Sequence, residues 1–287
     1  MTEMAKPERD SARDTFFGLA EKLEPHAVLR QEISVVLGYQ VAVHSCAIEN
    51  RKIHPIFLQL PRSLESIRQW ERPLPEYHQL LSEVQGYLLM LASLEDLVST
   101  RRRLTTSGLA KMHRLIFERS NYGQAGQFRR TNQGASSKSH PLPHYTLVPE
   151  MLDHHLAWLD ERLPRFSPVS PGNFAEVFQV IAESYYRIAH TSPFEIGNGS
   201  IARAMESYIL LSAGMFYHIP CFENHSSMHK AVQSATIENL TPIVNELLTC
   251  YQQTLKLIEG FAMLVPSEHA ASVATASPAA FRQYPKY

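Results

Sequence analysis

Long runs of apolar residues at helical spacing constrain this chain more than any other feature. In "HAVLRQEISVVLGYQVAVHSCAIEN" they fall at Leu29, Ile33, Val36 and Leu37, then at Val41, Val43 and Ile48, the pattern of one buried helix face. Gly38 is expected to break this run into two helices. "LPEYHQLLSEVQGYLLMLASLEDLVS" reads as one long helix, and "TSGLAKMHRLIFER" begins afresh at a Thr-Ser pair suited to capping. The period returns in "PEMLDHHLAWLDERL" and "NFAEVFQVIAESYYRIAH". After a Gly-Asn-Gly turn it resumes in "SIARAMESYILLSAG" and finally in "KAVQSATIENLTPIVNELLTCYQQTLKLIEGFAML". Between Asn121 and Val148, residues Gly123, Gly126, Gly134, Pro141 and Pro143 impose an irregular stretch, with a short hairpin expected around "TNQGAS". The expected fold class is therefore all-α, a single mainly helical domain with one short β-hairpin.

At 287 residues, 44% of them hydrophobic and 19% charged, the chain is long enough to bury a sizeable core. A formal net charge of −1 gives no general pull toward nucleic acid or an anionic membrane, so neither is expected as a partner. The start "MTEMAKPERDSARDTFFGLAEKLE" has no apolar run of signal-peptide length, and no later stretch approaches a membrane span; a cytoplasmic location is the expectation. Cys46, Cys221 and Cys250 are widely spaced and odd in number, which makes no disulfide framework. A frayed start is expected, as is a disordered, Ser-, Ala- and Pro-containing tail from Pro266. No internal repeat is visible.

The chemistry concentrates in "SPFEIGNGSIAR", residues 192 to 203. Its context is helix, short connection, Gly197-Asn198-Gly199, helix. Two glycines let the backbone approach a ligand, and the first N–H groups of the following helix lack internal partners, so the turn suits an anion. Arg203 lies about one helical turn further on, where its guanidinium reaches back toward a phosphate. On spacing alone a plain helix–helix turn with a surface arginine explains the same residues.

The stretch resembles the signature of the Fic (Fido) family, H-P-F-x-[D/E]-G-N-G-R-x-x-R. Pro193, Phe194, Gly197, Asn198, Gly199 and Arg203 match; Ser192 stands where the His would be, Ile196 where the acid would be and Ser200 where the first Arg would be. "AGQFRRTNQGASSKSHPLPHYTLVPEMLDHHLAWL" is similar to the family's G-x-x-R segment, β-hairpin flap and following helix. "HKAVQSATIENLTPIVNELL" is similar to its closing helices. "SCAIEN" fits the inhibitory-helix pattern [S/T]-x-x-x-E-[G/N] through Ser45, Glu49 and Asn50. The resemblance covers most of residues 30 to 260. It implies an N-terminal segment (1–25), a helical region that includes the inhibitory helix (26–100), a Fic-like core (101–262) and a tail (263–287). A protein target is implied through the flap region 129–147.

What the resemblance implies is transfer of AMP from ATP to a protein hydroxyl, with Gly197, Asn198, Gly199, Ser200 and Arg203 holding the nucleotide. That chemistry needs a general base, a carboxylate for the metal bridging the phosphates, and a phosphate clamp. Ser192 is no imidazole, Ile196 cannot bind Mg²⁺ and Ser200 offers a short neutral hydrogen bond. Losing one such role commonly costs about 10²–10⁴ in rate, so a regulatory or catalytically impaired protein that binds ATP weakly is expected, with Mg²⁺ left open. The alternative is an active enzyme that transfers or removes AMP or another phosphate-linked group by a variant mechanism, with Glu49 orienting water. His190 is a substitute base only if its helix is shifted, because two residues rotate a side chain by about 200°; otherwise it is a helix-end histidine. Glu195 is a substitute metal ligand or an exposed carboxylate. In the family the inhibitory Glu pairs with the second motif Arg and opposes the ATP γ-phosphate. Glu49 and Arg203 are the matching pair, and a purely structural lock between two helices is the other reading.

Remaining constellations carry less. Cys221, His225 and His229 in "CFENHSSMH" have zinc-like spacing without a fourth ligand. His140 and His144 read as flap polar residues, His154 and His155 as solvated. "TRRRL" is a basic run at a helix end, where positive charge suits the dipole.

Overall fold

The computed structural model describes residues 6–49, 75–121, 123–132, 142–220 and 225–263. Among these, nine α-helices follow one another: α1 (Lys6–Leu23), α2 (Ala27–Glu49), α3 (Pro75–Ser99), α4 (Thr106–Phe117), α5 (Val148–Arg162), α6 (Phe174–Thr191), α7 (Asn198–Ser212), α8 (His225–Ser234) and α9 (Thr241–Met263). The described residues contain no strand, only isolated bridges pairing Phe128 with Phe194 and Thr236 with Asn239. The all-α expectation holds at that level. The expected hairpin around "TNQGAS" runs into residues 133–141, outside the described residues, as do Asn50 and the tail from residue 264.

Helix α7 is the axis of the fold. Every residue from Ser200 to Leu210 is buried, and α2, α3, α4 and α6 pack around it. Its apolar members Ile201, Ala202, Ala204, Met205 and Ile209 fill the core. Ser200, Arg203, Glu206 and Ser207 are buried beside them, and buried polar groups of this kind must find partners. Glu206 finds His218, its carboxylate hydrogen-bonding Nδ1. Burial alone would strip His218 of its proton, but the adjacent Glu206 charge outweighs that and pushes its pKa up to about 10.

Close approach of two helices depends on one glycine. At Gly86 of α3 an added Cβ would overlap the Leu115 carbonyl oxygen and lie 2.7 Å from that of Ile116, so α3 and α4 meet backbone to backbone. Gly38 was expected to end a helix, but α2 runs straight through it. A Cβ there would meet Leu91 at 3.7 Å and Tyr217 at 3.8 Å. The contacts made along this face outweigh glycine's helix penalty of about 1 kcal/mol.

The start is not frayed within the described residues. Helix α1 packs on α9, burying Ala12, Phe16, Leu19 and Leu23, and Phe16 meets the rings of Phe174 and Phe216 at 5.8 Å each. The last helical run is divided into α8 and α9 by the turn that Thr236 and Asn239 close through reciprocal backbone bonds of 3.2 and 3.0 Å. Helix α4 is capped by Thr105, whose hydroxyl accepts the Gly108 N–H at 3.1 Å. His154 is exposed as expected. His155 is not: it is 2% exposed, with Nε2 3.0 Å from the Ser184 hydroxyl, because its side of α5 faces α6.

Two predictions follow from this packing. Gly86→Ala gains helix propensity but drives a methyl into backbone oxygens, and the overlap should win, costing about 2 kcal/mol or more; a thermal melt should fall by several degrees. For His218, the folded pKa near 10 lies above the unfolded value of about 6.5. Its contribution is full below about pH 6.5 and is lost as pH rises through about 10. Denaturant midpoints measured from pH 6 to 11 should therefore decline more steeply in the wild type than in a Glu206→Gln/His218→Gln double variant.

Candidate functional site

The loop between α6 and α7 is built by backbone hydrogen bonds. Helix α6 ends at Ser192, which adopts a left-handed conformation (φ 41°, ψ 64°) with its N–H still bonded to Ile188. The Ser192 hydroxyl turns back to donate to the Ala189 carbonyl at 3.1 Å. Asn198 then closes the loop on itself: Oδ1 accepts the Phe194 N–H at 2.9 Å and Nδ2 donates to the Phe194 carbonyl at 2.8 Å. Gly197 follows Ile196 with φ of +70°, and a Cβ there would overlap the Phe117 ring. Position 197 thus excludes any other residue on both backbone and steric grounds.

Helix α7 starts here without a side-chain cap and without an acidic residue of its own in the first turn. Its leading N–H groups carry the positive end of the helix dipole. One turn in, Arg203 is 5% exposed. Its Nε donates to the Ser45 hydroxyl at 3.1 Å, and one terminal nitrogen donates to the Ser45 carbonyl at 3.1 Å and to Glu49 Oε1 at 2.8 Å. The same nitrogen lies 3.4 Å from the Ser200 hydroxyl. Burial would loosen the guanidinium's proton, yet the Glu49 charge beside it holds it firmly cationic. Glu49 also lies over the turn, since a Cβ on Gly199 would overlap its Oε1. A carboxylate from the last residue of α2 therefore sits against the N-terminus of α7, where an anion is stabilised.

Two residues outside the candidate site set hold this loop from behind. Arg129 is 2% exposed. Its Nε donates to the Ser192 carbonyl at 2.9 Å, one terminal nitrogen to Pro143 at 2.6 Å and Thr191 at 3.3 Å, and the other to Thr131 at 3.1 Å. It satisfies the last carbonyls of α6, the usual service of a cation at a helix C-terminus. His113 of α4 is fully buried and bonds the backbone at Gly126 and Ile196. The position of Arg129 in the G-x-x-R segment was a signal for the first; His113 looked like any residue of an amphipathic helix.

The remaining candidates are brought near but are engaged otherwise. His190 bonds the Tyr186 carbonyl on its own helix at 3.0 Å and stacks on the Tyr186 ring at 3.8 Å, as a helix-end histidine does. Glu195 accepts the Thr131 hydroxyl at 3.0 Å and its charge acts on Arg129. Ile196 has no side-chain donor, and its carbonyl serves His113. Among the described residues no group of three or more His, Cys, Asp or Glu is arranged to hold a metal ion. Cys221 and the His225 side chain lie outside what is described, and His229 pairs with Gln233. His144 bonds Thr146, while Arg102 and Arg103 pair with Asp96 and Asp160. Beside the loop, a groove of about 410 Å³ runs between Gly126, Phe128, Arg129 and Arg130 on one side and Tyr145 and Pro149 on the other. No described helix is long and apolar enough to cross a membrane.

The Fic/DOC family matches residues 103–210, the span from the start of α4 to the body of α7. A protein adenylyltransferase Fic from Nematostella vectensis is 22% identical over 173 residues, covering 60% of this chain and 38% of that protein. One from Drosophila erecta is 23% identical over 275 residues, covering 95% of this chain and 51% of its own length. The chain thus spans about half or less of these curated relatives. In structure it is similar to a Fic domain containing signaling protein from Bacteroides thetaiotaomicron, with a TM-score of 0.68 at 17% identity over 88% of this chain and 97% of that one. A Fic-1 fragment from C. elegans gives 0.67 at 18% identity, over 89% and 72%. Matched in sequence over the helices that build the loop, and in fold over most of its length, the chain is a Fic/Fido domain protein.

Proposed function

We propose that the chain is a Fic protein of the AMP-transfer kind that keeps a nucleotide site in a self-blocked state and has lost most of the transfer chemistry. One observation carries this reading: the Glu49 carboxylate is bound to Arg203 and lies against Gly199 at the head of α7. Two anions cannot share that place, so a phosphate chain enters only as Glu49 withdraws. The adenylyltransferase names of the relatives support the chemical class, and the retained turn supports ATP as the ligand.

Impairment is supported by the three replaced side chains. The Ser192 hydroxyl bonds its own helix and has no basicity near neutral pH with which to take a proton from an attacking hydroxyl. Ile196 gives a phosphate-bridging Mg²⁺ no carboxylate oxygen, and Glu195 is occupied with Thr131. Ser200 contributes a neutral hydroxyl beside Arg203 where the family pattern has a second cation. The groove along Phe128, Arg129 and Tyr145 is the place for an extended target segment, in line with the flap reading of residues 129–147. His190, stacked and bonded within its own helix, gives the variant-mechanism alternative no support.

Two tests address this. Calorimetry should find ATP binding weak in the wild type and about tenfold or more tighter in Glu49→Gly, with a smaller gain for ADP, since removing one member of a buried charge pair frees the other for a ligand. Equal weak binding in both proteins, with Arg203→Ala unchanged, would remove the nucleotide reading. Second, label transfer from ATP should be negligible for the wild type and for Ser192→His, Ile196→Asp and Ser200→Arg singly. It should appear when the three are combined with Glu49→Gly, because base, metal ligand and clamp act as one unit. Robust transfer by the wild type that Ser192→Ala abolishes would overturn the impairment.

A further inference from the structure

We infer that His113 is the positioning residue of the anion turn: as a neutral imidazole it bridges the Gly126 N–H and the Ile196 carbonyl and so sets the peptide that leads into Gly197. The inference deepens the nucleotide reading and rests on it for the identity of the ligand, though not for the geometry.

The bonding determines the tautomer. The Gly126 N–H has only a proton to give and points at Nδ1 from 2.9 Å, so Nδ1 is the acceptor. Nε2, 3.1 Å from the Ile196 carbonyl oxygen, must then carry the proton and donate it. No imidazolium satisfies both ends, since it would turn an N–H toward the Gly126 N–H. Burial acts in the same direction, opposed only by the Ile196 carbonyl.

The ring is fixed in its plane as well. It stacks on Phe194 at 3.9 Å between centroids and 8° between planes, and Phe117 stands 4.7 Å away at 42°. Phe117 is also the ring that denies Gly197 a Cβ. One side chain of α4 thus touches the three parts of the site: the turn before Arg129, the Phe194 wall and the peptide between Ile196 and Gly197. The Ile196 carbonyl and the Gly197 N–H belong to one rigid plane. In a trans peptide the two point opposite ways, so holding that carbonyl on His113 also fixes the direction of the Gly197 N–H at the start of the turn. Asn198 fixes the loop from the other side through Phe194. Without His113 the half-buried Gly126 N–H and Ile196 carbonyl would lose their partner, a cost that the loop relieves by rotating.

The experiment has one arm on the unaltered protein. With ¹⁵N-labelled histidine, the His113 resonances should give an unprotonated Nδ1 and a protonated Nε2 at pH 7, with a scalar coupling across the bond from the Gly126 amide to Nδ1. An imidazolium or the opposite tautomer at pH 7 would overturn the inference whatever the variants do. The second arm uses Glu49→Gly as parent. His113→Phe keeps a ring and loses both bonds; it should melt as a folded protein, shift the amide resonances of Gly197 to Ser200 and weaken ATP binding on the order of tenfold. In His113→Ala, added imidazole, which accepts and donates, should restore the amide pattern and ATP affinity. N-methylimidazole, which only accepts, should not. Equal rescue by both, or unchanged amide shifts and affinity in His113→Phe, would reduce His113 to a space-filling residue. If the Glu49→Gly parent binds no ATP, the nucleotide reading falls by itself, and the tautomer and amide shifts still decide the role of His113.

Discussion

The buried guanidinium of Arg203 is the interaction on which the rest of this structure depends. A charge that is 5% exposed in the middle of a core helix is tolerable only with close partners. Its counter-charge and most of its hydrogen bonds come from the end of α2, through the Ser45 hydroxyl, the Ser45 carbonyl and the Glu49 carboxylate, with Ser200 of its own helix beside them. The pairing therefore fixes α2 against α7, and α3 packs against both. It also makes the pair conditional. The Glu49 side chain is 30% exposed while that of Arg203 is 6% exposed, so the carboxylate can leave for water at modest cost and the arginine cannot follow. A buried cation left without its anion is the condition that a phosphate-bearing ligand would relieve.

Helix content and order were largely legible, because apolar residues at spacings of three and four survive inspection wherever a helix has one dry side. The misreadings share a cause. Gly38 looked like a break because propensity was weighed without the buried face on which α2 packs. The first helix was missed because Ala12, Phe16, Leu19 and Leu23 are diluted by the charged residues of its wet side, including the Arg13 that pairs with Asp10. His155 looked solvated because adjacent histidines are indistinguishable until a partner helix supplies Ser184.

At the site, the sequence was most informative about backbone. Gly197, Asn198 and Gly199 are in the turn for reasons that depend on local geometry alone: a positive φ, a side chain that closes its own loop, and room for a carboxylate. Arg203 and Glu49 could be paired in advance only because a family pattern joined positions 154 apart. His113 and Arg129 act through main-chain atoms of distant segments; Arg129 was signalled only by its place in the G-x-x-R segment, and nothing in the residue types near His113 announces such bonds. A side chain that serves a backbone carbonyl leaves no complementary residue to be found.

The form of the turn is set apart from the side chains at its signature positions. The atoms that shape the turn are main-chain carbonyls and amides held by Arg129, His113 and Asn198, none of which is a reacting group in the family signature. Ser192, Ile196 and Ser200 stand at the reactive positions, and each is accommodated without disturbing that scaffold: the first in a left-handed backbone conformation that histidine itself tolerates well, the second through its carbonyl alone, the third as a small buried hydroxyl beside the arginine. The side chains at these positions leave the form of the turn intact. The pair between Glu49 and Arg203 is the opposite circumstance, for there the contact at the head of α7 and the contact that holds two core helices together are made by the same atoms. Losing Glu49 would leave Arg203 buried without its counter-charge, so the contact between α2 and the head of α7 is held by folding stability itself.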